Sequence, residues 1–449
     1  MNQLNAVPFL VLATYTLPMV TLADTARDLG AGPTGPVWIL SSIALGLSAL
    51  LLVAGGLADD YGRKRTLVIG TGVLAAAGVV AALATSVPVF AGARLVQGGA
   101  GAAMLAASLG IVGHTHPAGG PRLRATAAYG AMMGLGTTVG PLLSGMLALA
   151  WSWRTVYWLT SALALALAIV SALTLKESRS AEPRRLDLPG VVLLTLGVAA
   201  LVTGVTEGRQ GWTRPVVAVA FVAAALLLVA FVAAERRRRE PLLDLDLFRR
   251  PSFLVSTGGA MIVGATVVGV LGFLPSVLQS AHGMTPMGSA LLLAIWSGLS
   301  FLTPLLAGRV RLGAGSRLSL GLLLSAAGYA GLLGVAGRLS LPLTVAGLLV
   351  SGVGSGLINS SLAHLAIESV PRHRVSMGSG ASNTARYVGS SLGAAAMATL
   401  VGTLGLRTGV LVTLIASIVL KLAAAGAVQA HLLAVPAPLH RAPLPGPRV

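Results

Sequence analysis

The sequence predicts an all-α polytopic membrane protein with 14 transmembrane helices, and three observations predict it. First, 55% of the 449 residues are hydrophobic and 10% are charged, whereas soluble domains carry about 25% charged residues. Second, charged or Pro/Gly-rich breaks divide the chain into fourteen apolar segments, each near the ~20 residues needed to cross a bilayer. Third, Lys and Arg alternate between successive breaks. Twenty-two fall in one alternate set, and six (Arg27, Arg154, Arg209, Arg214, Arg338 and Arg407) fall in the other. Because basic residues mark the cytoplasmic side, an even number of spans with both termini cytoplasmic is expected.

The first span, 5–23, lacks a basic flank and a clear small-residue cleavage site before Asp24, so it reads as a retained helix and not as a signal peptide. Spans 36–58 and 66–86 enclose GGLADDYGRKR, from Gly55 to Arg65. Asp59 sits where the helix leaves the lipid, Gly62 permits a tight turn, and Arg63, Lys64 and Arg65 fix the side. Span 88–112 carries Arg94 and Gln97 in RLVQGGAGAA. An arginine inside a span costs roughly 2.5–3.5 kcal/mol on the insertion scale, so Arg94 either snorkels to the outer surface or has a partner. Asp24 is the nearest acid.

Span 125–149 contains GAMMGLGTTVGPLLSGML, in which Gly136, Gly140 and Ser144 recur every four residues. That spacing bares one face to a neighbouring backbone, and Pro141 removes the hydrogen bond to the Thr137 carbonyl and bends the helix. Span 155–175 completes a first six-helix unit, 1–175. Two longer basic breaks, Lys176 to Leu188 and Glu235 to Arg250, bracket spans 189–206 and 215–234. Both breaks read as solvated linkers that lean on anionic headgroups, and 176–252 forms a linker with two extra helices. The second unit, 253–432, comprises 253–279, 287–308, 317–336, 342–366, 376–402 and 408–432. Its last two spans hold Asn383 and two cations, Arg386 and Lys421, with no acid inside any span of that half. The tail, 433–449, is proline-rich from Val435 and is expected to be disordered.

The formal net charge of +18 would point to nucleic acid in a soluble protein; its placement at span ends argues against that partner. The chain has no cysteine, which excludes disulfides and thiolate metal sites. His114 and His116 alone are poor metal ligands and read as loop residues. The Asn359 sequon falls inside a span. An intramembrane prenyl-transfer enzyme would need aspartate-rich pairs to hold magnesium and diphosphate, and Asp59-Asp60 is the one adjacent pair. No enzyme, metal or cofactor is expected.

The string Gly56, Leu57, Ala58, Asp59, Gly62, Arg63, Lys64, Arg65 resembles the loop signature of the major facilitator superfamily, found there between the second and third spans. RLVQGGAGAA resembles the second superfamily motif. The order Gly136, Gly140, Pro141, Gly145 resembles the antiporter signature, with Ser144 where a glycine is usual. The stretches LDLPGVVL, EGRQGW, PLLDLDLF and NTAR, with the six-plus-two-plus-six plan, resemble the fourteen-span drug:proton antiporter branch, of multidrug efflux type.

This resemblance implies a major facilitator fold of two six-helix bundles plus two extra helices. It also implies export of small amphipathic organic compounds, drug-like or secondary metabolites, in exchange for protons. A switch loop of Gly56, Asp59, Gly62, Arg63 and Arg65 would meet the opposite bundle near Ser376. Asp24, Arg94, Gln97, Asn383, Arg386 and Lys421 would form the coupling and substrate pathway, and Gly136, Gly140, Pro141 and Gly145 a hinge and seal. The implied partners are a small-molecule substrate, protons and the bilayer of the cell membrane, and a monomer is expected. One departure stands out: members of the branch commonly carry an acid in the first span, whereas Val7 to Ala23 has none and Thr14 or Tyr15 lies near its place. Two rivals therefore stay open. One is a facilitator or exchanger of a neutral or anionic metabolite, using Arg94, Arg386 and Lys421 as attractive charge; the other is a non-transporting receptor on the same fold.

Overall fold

The computed structural model describes residues 3–115, 120–179, 187–208, 211–238, 245–307, 312–370 and 375–434. These form helices and their connections, with no strand among the described residues. In chain order the helices are α1 (Gln3–Thr16), α2 (Pro18–Asp28), α3 (Gly35–Tyr61), α4 (Arg63–Leu83), α5 (Val87–Thr115), α6 (Gly120–Ala150), α7 (Thr155–Thr174), α8 (Leu188–Glu207) and α9 (Pro215–Arg236). They continue as α10 (Pro251–Leu271), α11 (Leu274–His282), α12 (Pro286–Ala307), α13 (Ala314–Ala330), α14 (Leu341–Glu368), α15 (Val375–Leu404) and α16 (Leu406–Ala434). The proline-rich end from Val435, His116 and residues 371–374 lie outside the described residues, as do the side chains of Asp59 and His114.

Length and composition make 11 of these helices able to cross a membrane, or 12 if the bent pair α1–α2 is one span. That is fewer than the expected fourteen, because the described apolar stretches Gly35–Leu51 in α3 and Pro189–Val205 in α8 are shorter. Two segments expected to be continuous are broken. Span 5–23 divides at Leu17 with a bend of 44° between α1 and α2, since Pro18 has no N–H to continue the ladder. Span 253–279 is interrupted as a helix between α10 and α11, where Pro275 enters the first turn, yet Pro251–His282 still counts as one apolar span. The expected helix 317–336 ends as α13 at Ala330 and continues as a short 3-10 helix, Leu333–Ala336.

The helices pack in two mirrored sets, α3 on α5 in the first and α10 on α15 in the second, with α6 meeting α12 and α3 meeting α15 across them. Small residues allow the tightest approaches: a Cβ on Gly98 of α5 would stand 2.8 Å from the Leu47 amide nitrogen of α3. Helices α8 and α9 pair with each other and rest on α3, where Thr195 Oγ1 donates to the Ala49 carbonyl at 3.1 Å. A second 3-10 helix, Leu245–Arg249, anchors this pair. Its Leu247 packs with Leu45 of α3, Leu194 of α8, Phe231 of α9, Phe253 of α10 and Ala381 of α15.

The turn between α3 and α4 follows the sequence expectation and adds a partner. Gly62 has φ of 115°, a conformation that side-chain-bearing residues rarely adopt. The first amides of a helix lack internal acceptors. Here Glu177, beyond the end of α7, accepts from the Lys64 and Arg65 amides at 3.0 and 3.1 Å, while the Arg63 amide donates to the Ser178 carbonyl at 2.9 Å. A Cβ on Gly62 would lie 2.7 Å from the Glu177 carboxylate. Gly62→Ala should therefore combine backbone strain of ~1–3 kcal/mol with a clash against the cap. We expect a lower melting temperature for the purified protein, by more than Glu177→Gln alone; an unchanged melting temperature would refute this account of the turn.

Candidate functional site

An amide at position i+4 normally satisfies each carbonyl in a helix. For Thr14 that position is Pro18, so the bend at the end of α1 leaves acceptors free inside the protein. Arg94 fills the vacancy. Its Nη1 donates to the Thr14 carbonyl at 2.8 Å and to Gln97 Oε1 at 3.0 Å, and its Nη2 donates to the Tyr15 carbonyl at 3.1 Å. The C-terminal end of a helix carries partial negative charge, which favours the guanidinium there. The arginine is fully buried, with its Cζ 5.8 Å from the centre of the Tyr157 ring. Tyr157, Phe90 and Trp153 form an edge-to-face aromatic group beside it.

These positions correct two expectations. Arg94 does not snorkel, and it does not pair with Asp24, which bonds Arg27 at 3.5 Å one turn away on α2. Two backbone carbonyls occupy the role expected of an acid in the first span. The signal was present in the sequence, as a proline four residues beyond Thr14 in an otherwise apolar segment.

From this anchor the site extends across the two sets of helices. The Tyr15 ring on α1 meets the Tyr387 ring on α15, with centroids 6.0 Å apart and planes inclined at 59°. Tyr15 also faces Ser390 and lies within electrostatic reach of both Arg94 and Arg386. On α15, Asn383, Arg386, Tyr387 and Ser390 follow the spacing i, i+3, i+4, i+7 that places residues on one helical face. The buried Nε of Arg386 has no hydrogen-bond partner.

Lys421 lies elsewhere. Buried on α16, it donates to Ser325 Oγ on α13 at 2.8 Å, and its Nζ sits 3.1 Å above the centre of the Tyr329 ring. Lys421, expected to lack an acidic partner, is held instead by a hydroxyl and an aromatic face. The structure brings Arg94, Gln97, Asn383 and Arg386 toward one seam and leaves Asp24 and Lys421 outside it.

The antiporter-like residues pack along the same seam. On α6, a Cβ at Gly140 would stand 2.7 Å from the Ala13 carbonyl oxygen, so this face lies directly on the backbone of α1. Pro141 is buried and Ser144 Oγ lies 3.4 Å from Thr21 Oγ1 of α2. Gly145 faces Val20 of α2 and Ala290 of α12. Nearby, Gln279 Nε2 of α11 donates to the Val20 carbonyl at 3.1 Å and to Ser289 Oγ at 2.9 Å, which joins the two sets at that end. At the other end Gly56 lies in the last turns of α3, and Arg63 lies against Gly110 of α5 in its own set. The Arg65 side chain is exposed. Glu177, which secures this loop, was missed in the sequence because its partners are backbone amides 112 and 113 residues away.

Comparison with known proteins gives the family and the fold. The family model described as Major Facilitator Superfamily matches residues 5–394. The multidrug resistance protein Stp of Mycobacterium tuberculosis is 32% identical over 392 residues, covering 87% of this chain and 73% of its own length. The probable actinorhodin transporter of Streptomyces coelicolor is 32% identical over 405 residues, covering 86% and 69%. The puromycin resistance protein pur8 of Streptomyces alboniger is 30% identical over 406 residues, covering 88% and 80%. In fold, the chain is similar to a crystal structure of a POT family transporter, with a TM-score of 0.69 over 94% of each chain at 15% identity.

Removing the guanidinium would strand two buried carbonyls, at ~1–3 kcal/mol for each unsatisfied group. Arg94→Ala should lower the melting temperature, and Pro18→Ala should partly restore it by returning an amide to Thr14. A double-mutant cycle on thermal stability checks this; strictly additive effects would sever Arg94 from the bend.

Proposed function

Given that this chain belongs to the Major Facilitator Superfamily, we propose that it is a secondary transporter exporting small amphipathic organic compounds, drug-like or secondary metabolites, across the cell membrane. The names of its relatives, a multidrug resistance protein, a probable actinorhodin transporter and a puromycin resistance protein, support that direction and that substrate range. The carrying observation is the seam where Arg94 and Tyr15 of the first set face Tyr387 and Arg386 of the second. A site shared by two packed halves can be exposed to one side and then the other as the halves rock.

Fourteen crossings suit this reading: the eleven apolar helices, the bent pair α1–α2, and α3 and α8. The division into 1–175, 176–252 and 253–432 follows, with α8 and α9 as the inserted pair and both termini on the basic side. The loop of Gly56, Asp59, Gly62, Arg63 and Arg65 acts as a switch held by Glu177, and Gly136, Gly140, Pro141 and Gly145 form the sliding face of α6. The protein works as a monomer in the bilayer.

Coupling has two readings. The resemblance implies exchange for protons: one proton moving down 100 mV supplies about 2.3 kcal/mol, enough for roughly a fortyfold gradient of a neutral solute. Arg94 favours the second, export without proton exchange, because carbonyls, which do not titrate, stand where a proton-carrying acid would. Inside-out vesicles holding a proton gradient, read by a pH dye, separate the two. If an added lipophilic cation or neutral compound discharges the gradient in the presence of intact Arg94 and not in Arg94→Ala vesicles, proton exchange holds. If a labelled compound crosses while the dye stays constant, the second reading holds.

A further inference from the structure

Among the described residues, each acid lies in a connection or within four residues of a helix end, from Asp24 and Asp28 of α2 to Glu368 of α14. The inner stretches of the spans carry only cations: Arg94, Arg386 and Lys421. Lys421 is occupied by Ser325 and Tyr329, and the Nη groups of Arg94 by α1 and Gln97. The buried Nε lacks a hydrogen-bond partner in both Arg94 and Arg386. Arg386 differs in that it belongs to the face of α15 that meets Tyr15, and no helix end among the described residues receives its guanidinium as α1 receives that of Arg94.

We propose that this face binds a planar aromatic anion, a ring system bearing a sulfonate, carboxylate or ionised phenol, and that the anion is exported electrophoretically without an exchanged proton. The proposal rests on the export reading above and names the substrate class of its site. Tyr15 and Tyr387 supply flat aromatic surfaces with well-defined partners, and Arg386 supplies a planar donor fork suited to oxyanions. Stacking needs ~3.5–4.0 Å between contacting carbon atoms on each side, so the two rings, 6.0 Å apart and inclined at 59°, must turn parallel and part by about 1–2 Å. Rocking of the two sets about α6 and α12 opens this gap, and the pair closes on itself when empty. An organic cation meets the like charges of Arg94 and Arg386 at the same place.

The choice of an anion also removes the need for a titratable acid. A negative charge leaving a cell that is negative inside is driven outwards by the membrane potential alone. That sustains about a fortyfold gradient, equivalent to about 2.3 kcal/mol at 100 mV. The missing acid of the first span and the unopposed cations of the spans then have one explanation.

The test uses the full-length protein in inside-out vesicles, with the potential clamped by potassium and valinomycin and pH equal on both sides. Naphthalene-2-sulfonate, N-methylquinolinium and butane-1-sulfonate serve as aromatic anion, aromatic cation and non-aromatic anion. With the lumen positive, naphthalene-2-sulfonate should accumulate at least tenfold over butane-1-sulfonate, and an added pH gradient should leave its uptake unchanged. Arg386→Gln should reduce that uptake at least tenfold, Arg386→Lys should retain part of it, and Tyr387→Leu should raise KM more than it lowers the maximal rate. Monodisperse elution of each variant checks its folding. Accumulation of N-methylquinolinium in place of the sulfonate, unaffected by Arg386→Gln, would overturn this proposal and leave the export reading standing. Movement of none of the three compounds, nor of the lipophilic cation or neutral compound used above, would overturn both.

Discussion

The structure depends on one buried charge and the helix end that receives it. Arg94 is fully enclosed, and an enclosed guanidinium in a membrane needs acceptors for its donors; its Nη groups find them, while its Nε has no partner. Pro18 creates the acceptors by interrupting the first span, and the resulting bend turns α2 toward α11 and α12, where Gln279 reaches the Val20 carbonyl. Ahead of the bend, Ala13 lies against Gly140 of α6. A single missing amide thus sets the direction of the first helix, the bed of the charge and the contact between halves.

This arrangement differs in kind from a salt bridge. A carboxylate facing Arg94 would switch between two charge states and release the arginine in one of them. Peptide carbonyls offer a fixed partial charge, so the contact responds to geometry and not to proton binding. Sensitivity to protons therefore does not come from this contact.

Much of this could be read in advance. Apolar segments and the distribution of Lys and Arg gave the helices and their order, because the bilayer imposes length and the aqueous ends impose charge. Gly62 was legible as a turn and Arg94 as a residue in need of a partner, since each violates a local rule. What escaped was carried by backbone atoms or by distant contacts. Thr14 and Tyr15 act on Arg94 through carbonyls that any residue would supply, and Glu177 acts through amides across more than a hundred residues. The division of spans at Leu17 and between α10 and α11 escaped for a related reason, because hydropathy measures the lipid-solubility of a stretch and not its straightness. Tyr387 carries no sequence signal of its own; its place follows from the Tyr15 ring that meets it.

The grip of Glu177 on the start of α4 also bears on how the protein is made. The loop after α3 emerges early in synthesis, but the carboxylate that secures it arrives only after α7 has been completed. Until then the amides of Lys64 and Arg65 have water as their acceptor and the turn at Gly62 stands without its clasp. The basic end of the first set closes last, so its assembly waits on the completion of α7, and a ribosome pausing within α7 would leave the helices before it in place with the turn at Gly62 still open.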